Sequence, residues 1–385
     1  MTEQGLVSLL EKLVSIPSVG VMESEDPAVT GEARMAEYLA GHLSALGFRI
    51  EWEDRASGRP NLIARHGPAS PRRTVMFESH LDTVGVRGMK NPFAARIEGG
   101  RLYARGSCDT KGPLAAALHA FTPELLGKLA AAGVGIMVVG AMGEETGNIG
   151  ALRLVERGLG ADHAIILEPT ELGVVHAHKG ACWFEVEVGG VAAHGSNPDR
   201  GKSAILGMAH VIEFLQRWIA EDQYAIRNAL LGSPTLNIGE IRGGAAVNIV
   251  PDRCVISVDR RTLPEEKHED VLARVEAGLG SLKKQGLIHS FQIRIIKASD
   301  AFETRCECEL VKRLAASCDR AGVGARLEGA AWHSDAGAFA KTCGEVVVFG
   351  PGSIKQAHTV DEFIDLDSLR AGCDVIRFFL SGLLE

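Results

Sequence analysis

Basic residues are in the minority in this chain. Lys and Arg number 41 against 49 Asp and Glu, a net charge of −8. That balance excludes the basic footprint of a nucleic-acid partner and favours solubility. No apolar run reaches the roughly 20 residues that span a bilayer, so no membrane partner is expected. Met1 to Val14 set Glu3, Glu11 and Lys12 among leucines, which reads as an amphipathic helix rather than the unbroken apolar core of a signal peptide. Cysteine is sparse, at eight in 385 residues, too few for a disulfide scaffold. Cys306 and Cys308 lack a second pair at zinc-site spacing, and Cys108 lacks a His–Asn/Asp partner pattern. Free thiols in a cytoplasmic protein are expected. The chain has no G-x-S-x-G elbow, no Walker loop and no G-x-G-x-x-G after a strand. Serine-hydrolase, nucleotide and dinucleotide readings therefore lack support.

What is present is a chain long enough for two domains, 46% hydrophobic and 23% charged. Its first part alternates strands and helices. Helical spacing covers Pro27 to Leu46, Lys111 to Leu129 and Ile149 to Arg157. Strand-like runs cover Asn61 to Arg65, Thr74 to Phe77, Gly135 to Ala141 and Ala164 to Leu167. From about His178 the texture changes. Ala181 to Val188 alternates like a half-exposed strand, a helix follows from Ser203 to Ala220, and Thr235 to Ile241 and Arg253 to Asp259 are strands. Asp270 to Leu282 is helical, and Phe291 to Ile296 alternates again. After Ala298 the first texture returns, with helices over Glu307 to Ala321 and Asp367 to Leu380 and a buried strand over Glu345 to Phe349. The expectation is an α/β fold: a mixed, mostly parallel sheet sandwiched by helices, built from residues 1–177 and 298–385. Residues 178–297 are expected to form an inserted α+β domain of βαββαβ, ferredoxin-like order.

Acidic and imidazole residues recur where these strands end. His80-Leu81-Asp82 closes one strand, and a carboxylate two residues on is placed to orient a metal-ligating imidazole. Alone, a strand-end histidine beside a turn aspartate is ordinary. Asp109, in Arg105-Gly106-Ser107-Cys108-Asp109-Thr110-Lys111-Gly112, precedes a long helix, where an aspartate is also an ordinary cap. Glu144-Glu145, between Gly143 and Gly147, follows a core strand. One of two adjacent glutamates there could ligate a metal while the other takes a proton. Glu168, before Pro169, closes another buried strand. His358 ends the loop from Gly350 after the last buried strand. Ligands bind off the carboxyl ends of strands in open α/β sheets. Carboxylates and imidazoles gathered there suit zinc and harder divalent cations.

Together these stretches resemble the dinuclear-zinc amidohydrolases that include acetylornithine deacetylase, succinyl-diaminopimelate desuccinylase, aminoacylase and carboxypeptidase G. The resemblance rests on Ser79-His80-Leu81-Asp82-Thr83-Val84, Gly106 to Gly112, Gly143-Glu144-Glu145 and Glu168-Pro169-Thr170. It also rests on Ala193-His194-Gly195-Ser196, Asp259-Arg260-Arg261-Thr262-Leu263-Pro264 and Gly350 to His358. It implies two divalent metal ions, zinc foremost with cobalt or manganese as substitutes. His80 and Glu168 would bind one, Glu145 and His358 the other, with Asp109 bridging. It implies that Asp82 orients His80, that Glu144 is general base and acid toward a bridging water, and that the Asp109–Thr110 peptide bond is cis. It makes the inserted domain a lid and homodimer contact whose His194 meets the oxyanion. Asn248, Arg261 and the backbone of Gly352 would bind substrate. His176-Ala177-His178-Lys179-Gly180 and Asp361-Glu362-Phe363 resemble acetylornithine deacetylases most, although many of those carry an aspartate where this chain has Gly143. The implied substrate is a small N-acyl-amino acid. A dipeptide, a carboxypeptidase substrate or succinyl-diaminopimelate on the same metals is the alternative.

Overall fold

A computed structural model of the chain describes residues 3–384; Met1, Thr2 and Glu385 lie outside them, and with them the first two residues of the expected N-terminal helix. The chain divides into two compact units. The first is Met1–His176, Thr304–Glu328 and Ser334–Glu385, and the second is Ala177–Glu303 with Gly329–His333. The second unit runs past the expected end at 297 because Phe302 pairs with His178 and Glu303 with Ala177.

In the first unit the strands are β1 (Arg49–Glu53), β2 (Asn61–His66), β3 (Arg73–His80), β4 (Arg96–Glu98), β5 (Arg101–Tyr103), β6 (Val134–Ala141), β7 (His163–Ile166) and the start of β8 (Val174–His178). The main sheet has the order β1-β2-β6-β3-β7, then the late strand Glu345–Val348, then β8. β6, β3, β7 and the late strand are parallel neighbours, while β1, β2 and β8 run antiparallel at the flanks. The helices are α1 (Glu3–Val14), α2 (Ala33–Ala45), α3 (Lys111–Ala120), α4 (Pro123–Ala131) and α5 (Ile149–Glu156), joined later by Glu309–Arg320, Ala336–Phe339 and Leu366–Gly382. Leu62, Ala64, Val75, Phe77, Ile136, Val138 and Ile165 share one core with residues of α1 to α4. Met76, Met137, Ala164 and Ile166, alternating with them, are equally buried. A sheet buried on both faces explains why these strands read as continuous apolar runs.

Two expected helices differ. The one from Pro27 starts at Ala33, because the chain first turns at Asp26, whose carbonyl accepts from Val29 and Thr30, and Gly31 takes a φ of 92°. The long helix from Lys111 is two. Thr122 accepts the Leu125 N–H at 3.1 Å and Pro123 opens a second helix, an N-cap and first-turn proline that restart the helix. The short strands β4 and β5, with Phe363–Asp365, form a small separate sheet that the sequence reading lacked.

The second unit holds β9 (Gly180–Gly189), α6 (Ala204–Ala225), β10 (Thr235–Gly243), β11 (Arg253–Thr262), α7 (His268–Lys284), β12 (Ser290–Ser299) and β13 (Phe302–Glu303). Its antiparallel sheet has the order β10-β11-β9-β12, the ferredoxin-like arrangement of a βαββαβ chain. Phe184, Val186 and Val188 of β9 pack with Val211, Leu215 and Trp218 of α6 and with Val275 and Leu279 of α7. Both helices therefore cover one face.

In the remainder of the first unit, β14 (Leu327–Ala330) begins, followed by β15 (Glu345–Val348) and β16 (Phe363–Asp365), with α8 (Glu309–Arg320), α9 (Ala336–Phe339) and α10 (Leu366–Gly382).

Candidate active site

Four parallel strands, β6, β3, β7 and β15, end at one edge of the main sheet, and each delivers a functional side chain just at or beyond its last residue. His80 ends β3, Glu144 and Glu145 follow β6, Glu168 follows β7, and His358 lies in the loop after β15. Asp109 enters from the turn before α3. Gly143, at a φ of 69°, lets the chain reverse immediately after β6, a backbone that a side chain would strain. His358 itself holds a φ of 64°, the kind of local strain that persists where the surroundings demand it. The Asp109–Thr110 peptide bond is cis.

Asp109 is the hinge of the arrangement. Its Oδ1 is 3.1 Å from His80 Nε2, and its Oδ2 is 3.4 Å from His358 Nε2. His80 Nε2 is also 3.8 Å from Glu168 Oε1, and His358 Nε2 is 3.1 Å from Glu145 Oε2. The result is two clusters, His80–Asp109–Glu168 and Asp109–Glu145–His358, whose potential ligand atoms lie within 4.8 Å of one another and which share one aspartate. Asp82 meets His80 in an unexpected way. His80 Nδ1 is 2.9 Å from the Asp82 backbone carbonyl and 3.5 Å from its Oδ1. The Asp82 carboxylate instead accepts the backbone N–H groups of Glu144 at 3.1 Å and Glu145 at 3.2 Å, so it anchors the glutamate turn as well.

The electrostatics follow from burial. Desolvation raises the Glu145 carboxyl to about 7, with the Asp109 charge adding to it. Burial lifts Glu168 well above the carboxylate range, and nearby Asp109 acts the same way. Desolvation opposes the charged form of Asp109 too, but hydrogen bonds from His358 and His80 hold its carboxyl below the ordinary range. His358, bonded to Asp109 and Glu145, rises to about 10. Buried carboxylates this dense need compensating positive charge, and His80 and His358, both shifted upward by their carboxylate partners, supply only part of it. Glu145 Oε1 is buried without a hydrogen-bond partner. An oxygen and imidazole donor set, an orphaned carboxylate oxygen and an excess of buried acid together fit two divalent cations.

The remaining expected site residues are not in these clusters. His194, Asn248 and Arg261 belong to the second unit. His194 is exposed, with Nδ1 2.7 Å from Ser196 Oγ. The Asn248 carbonyl accepts the Gly195 N–H at 2.7 Å. Arg261 is engaged by Asp259 on its own strand at 2.9 Å. Gly352 is in the first unit at a φ of 93°, and its N–H, expected to face substrate, donates to Ser368 Oγ at 3.2 Å.

Sequence reasoning passed over four buried groups beside the clusters. Glu362 accepts the N–H groups of Gly106 at 3.0 Å, Cys108 at 2.8 Å and Asp109 at 3.1 Å, and pairs with buried Arg105 at 2.7 Å. Asn148 and Asp335 lie behind Glu144. Glu78 is buried two residues before His80. Strand alternation, which puts Glu78 on the face of His80, was the one available signal for it.

Residues 76–381 match the description Peptidase family M20/M25/M40. An acetylornithine deacetylase of Myxococcus xanthus is 35% identical over 348 residues, covering 87% of this chain and 88% of that protein. Among solved structures, an M20 family metallo-carboxypeptidase from Sulfolobus solfataricus aligns over 98% of this chain and 99% of its own, at 21% identity and a TM-score of 0.79. A dinuclear metal binding peptidase of the M20 family from Bacillus subtilis aligns over 99% and 98% at 15% identity and a TM-score of 0.71. These likenesses place the two-unit fold among M20 peptidases. The chain belongs to peptidase family M20/M25/M40 and is a hydrolase of that family.

Proposed function

We propose that this chain hydrolyses the amide bond of an N-acyl-amino acid, as an acetylornithine deacetylase does. The observation that carries the reading is Asp109, whose two oxygens face two different imidazoles. The 35% identity to a deacetylase supports the choice of substrate class. His80, Asp109 and Glu168 would hold one cation, and Asp109, Glu145 and His358 the other, zinc being the ion best matched to imidazole and carboxylate. Bound cations would supply Lewis acidity toward the carbonyl and a more acidic water.

The chain's own residues do the rest. Glu144 takes a proton from the attacking water and returns it to the leaving amine. Asp82 fixes His80 and the turn that carries Glu144. His194 meets the developing oxyanion, and Asn248 and Arg261 bind the substrate. The second unit acts as lid and homodimer contact; β10 at the edge of its sheet and the exposed Ile241, Val247 and Ile249 support the dimer contact.

The test is a substrate panel with the zinc-loaded protein: N-acetylornithine, other N-acetyl-amino acids, N-succinyl-diaminopimelate and dipeptides. An N-acetyl-amino acid is expected to turn over fastest. Fastest turnover of a dipeptide overturns the reading in favour of a peptidase. Glu144→Gln is expected to keep both metals and lose turnover by roughly 10²–10⁴-fold; full activity excludes Glu144 as the base.

A further inference from the structure

Behind Glu144 runs a buried chain of polar groups that the reaction above does not use. Asn148 Nδ2 donates to Glu144 Oε1 at 3.1 Å and to Asp335 Oδ1 at 2.8 Å. Asn148 is 2% exposed, Asp335 1% and Glu144 7%. A primary amide carries two N–H donors on one nitrogen. A single Asn148 can therefore hold both carboxylates at once, with its positive amide edge between two groups that would otherwise repel.

The amide is itself fixed. Asn148 adopts a φ of 58° at the start of α5, a left-handed conformation that asparagine tolerates better than most residues. Its backbone N–H donates to the Glu144 carbonyl at 3.1 Å, and Gly147 donates to the same carbonyl at 3.0 Å. The turn from Glu144 to Asn148 is thus closed through the main chain, and the Asn148 side chain closes it again through the Glu144 carboxylate. Asp335 immediately precedes α9, where the Ala338 and Phe339 N–H groups donate to its carbonyl, both at 3.0 Å. The brace is built on a second, sequence-distant element.

A general base has to present its oxygen within hydrogen-bond reach of the proton it removes. A glutamate side chain has several rotatable bonds, and holding one conformer costs entropy unless neighbouring groups fix it. We propose that Asn148, held by Asp335, is a positioning residue that fixes the Glu144 carboxylate for proton transfer. This rests on the reading of Glu144 as the general base.

Asn148→Gly removes the amide without penalising the left-handed backbone. It is expected to lower kcat roughly 10- to 100-fold, the range of one hydrogen bond to a charged group. KM on the fastest N-acetyl-amino acid should stay within about twofold, and both zinc ions should remain by elemental analysis. Asp335→Asn keeps an acceptor oxygen for Asn148 and should retain most of kcat, whereas Asp335→Ala should lose it as Asn148→Gly does. An unchanged kcat in Asn148→Gly, with Glu144→Gln inactive, overturns the proposal and leaves the base intact. Metal loss in Asn148→Gly that tracks the loss of kcat also overturns it, since the residue would then act through the cations. Equal impairment of Asp335→Asn and Asp335→Ala removes Asp335 from the brace. A fully active Glu144→Gln removes the reading beneath it. If Asp335→Ala fails to fold, the kcat and metal content of Asn148→Gly decide.

Discussion

Glu362 holds Asp109 by its backbone. The Asp109 N–H donates to Glu362 Oε1 at 3.1 Å, beside the Cys108 N–H at 2.8 Å on the same oxygen, while Oε2 takes Gly106 and Arg105. The aspartate shared by the two clusters is therefore set by a carboxylate 253 residues away. Both side chains of the Arg105–Glu362 pair are only 1% exposed.

Removing Glu362 should accordingly damage both stability and the site. Glu362→Ala leaves Arg105 charged and buried with its ion pair gone, a change that costs about 3–5 kcal/mol when a buried pair is broken from one side. It also frees three N–H groups of the Asp109 turn. The expected outcome is a markedly lower denaturation midpoint together with zinc binding weakened at both positions. Glu362→Gln, which keeps the volume and one acceptor oxygen, should lose less of each. Chemical denaturation followed by zinc titration measures both, and a Glu362→Ala protein of unchanged stability would contradict the argument.

This relation also shows where the sequence stopped being readable. The ends of β3, β6, β7 and β15 were legible because each couples a buried apolar run to a polar residue beside a turn, and a parallel sheet must align such ends on one edge. His80, Glu144, Glu145, Glu168 and His358 could be named on that ground. Glu362 and Asp335 could not, since their roles depend on tertiary contacts that leave no local pattern. Asp335 reads as an ordinary helix-start aspartate, and Glu362 as one acid in Asp361-Glu362-Phe363. Asp82 was half legible: its neighbour His80 was visible, but not that its carboxylate would hold the backbone of a turn 62 residues on. The break between α3 and α4 had its signal in Thr122-Pro123, which the alanine- and leucine-rich run around it masked.

The two clusters share Asp109 but not their histidines, so they should be separable. His358 faces Asp109 Oδ2 and Glu145, and His80 faces Asp109 Oδ1 and Glu168. His358→Ala is expected to lower the zinc content from about two to about one per chain, because one ligand of only one cluster is lost. Elemental analysis after dialysis against a weak chelator reads this directly. Unchanged content would remove His358 from the ligand set. Glu168→Ala should empty the other position, and the double substitution should leave the protein without tightly held metal.

The metal-free protein should lose stability as pH rises toward neutrality. Burial, with Asp109 adding, raises Glu145 to about 7. Burial, with Glu144 adding, raises Asp335 to about 7. In the unfolded chain such carboxyls titrate near ~4. A raised carboxyl binds its proton more tightly in the folded state, so it contributes stability at low pH that is lost as pH climbs through the folded value. His358, raised to about 10 by Asp109 and Glu145, acts in the same direction. Its contribution is complete below the ordinary imidazole value and declines as pH rises toward 10. Asp109, held low by His358 and His80 against the pull of burial, contributes in the opposite sense, but its share is already complete by about pH 5. The expected result is a Tm of chelator-treated protein that falls between about pH 5 and pH 7, above which buried Lys111, lowered to about 7 by desolvation, works against the further decline from His358. Zinc requires deprotonated ligands, so the Tm gained on reloading should grow over the same interval. Scanning calorimetry at several pH values, with and without zinc, tests both halves. A metal-free Tm that rises with pH across that interval would mean that the clustered carboxylates do not strain the empty site.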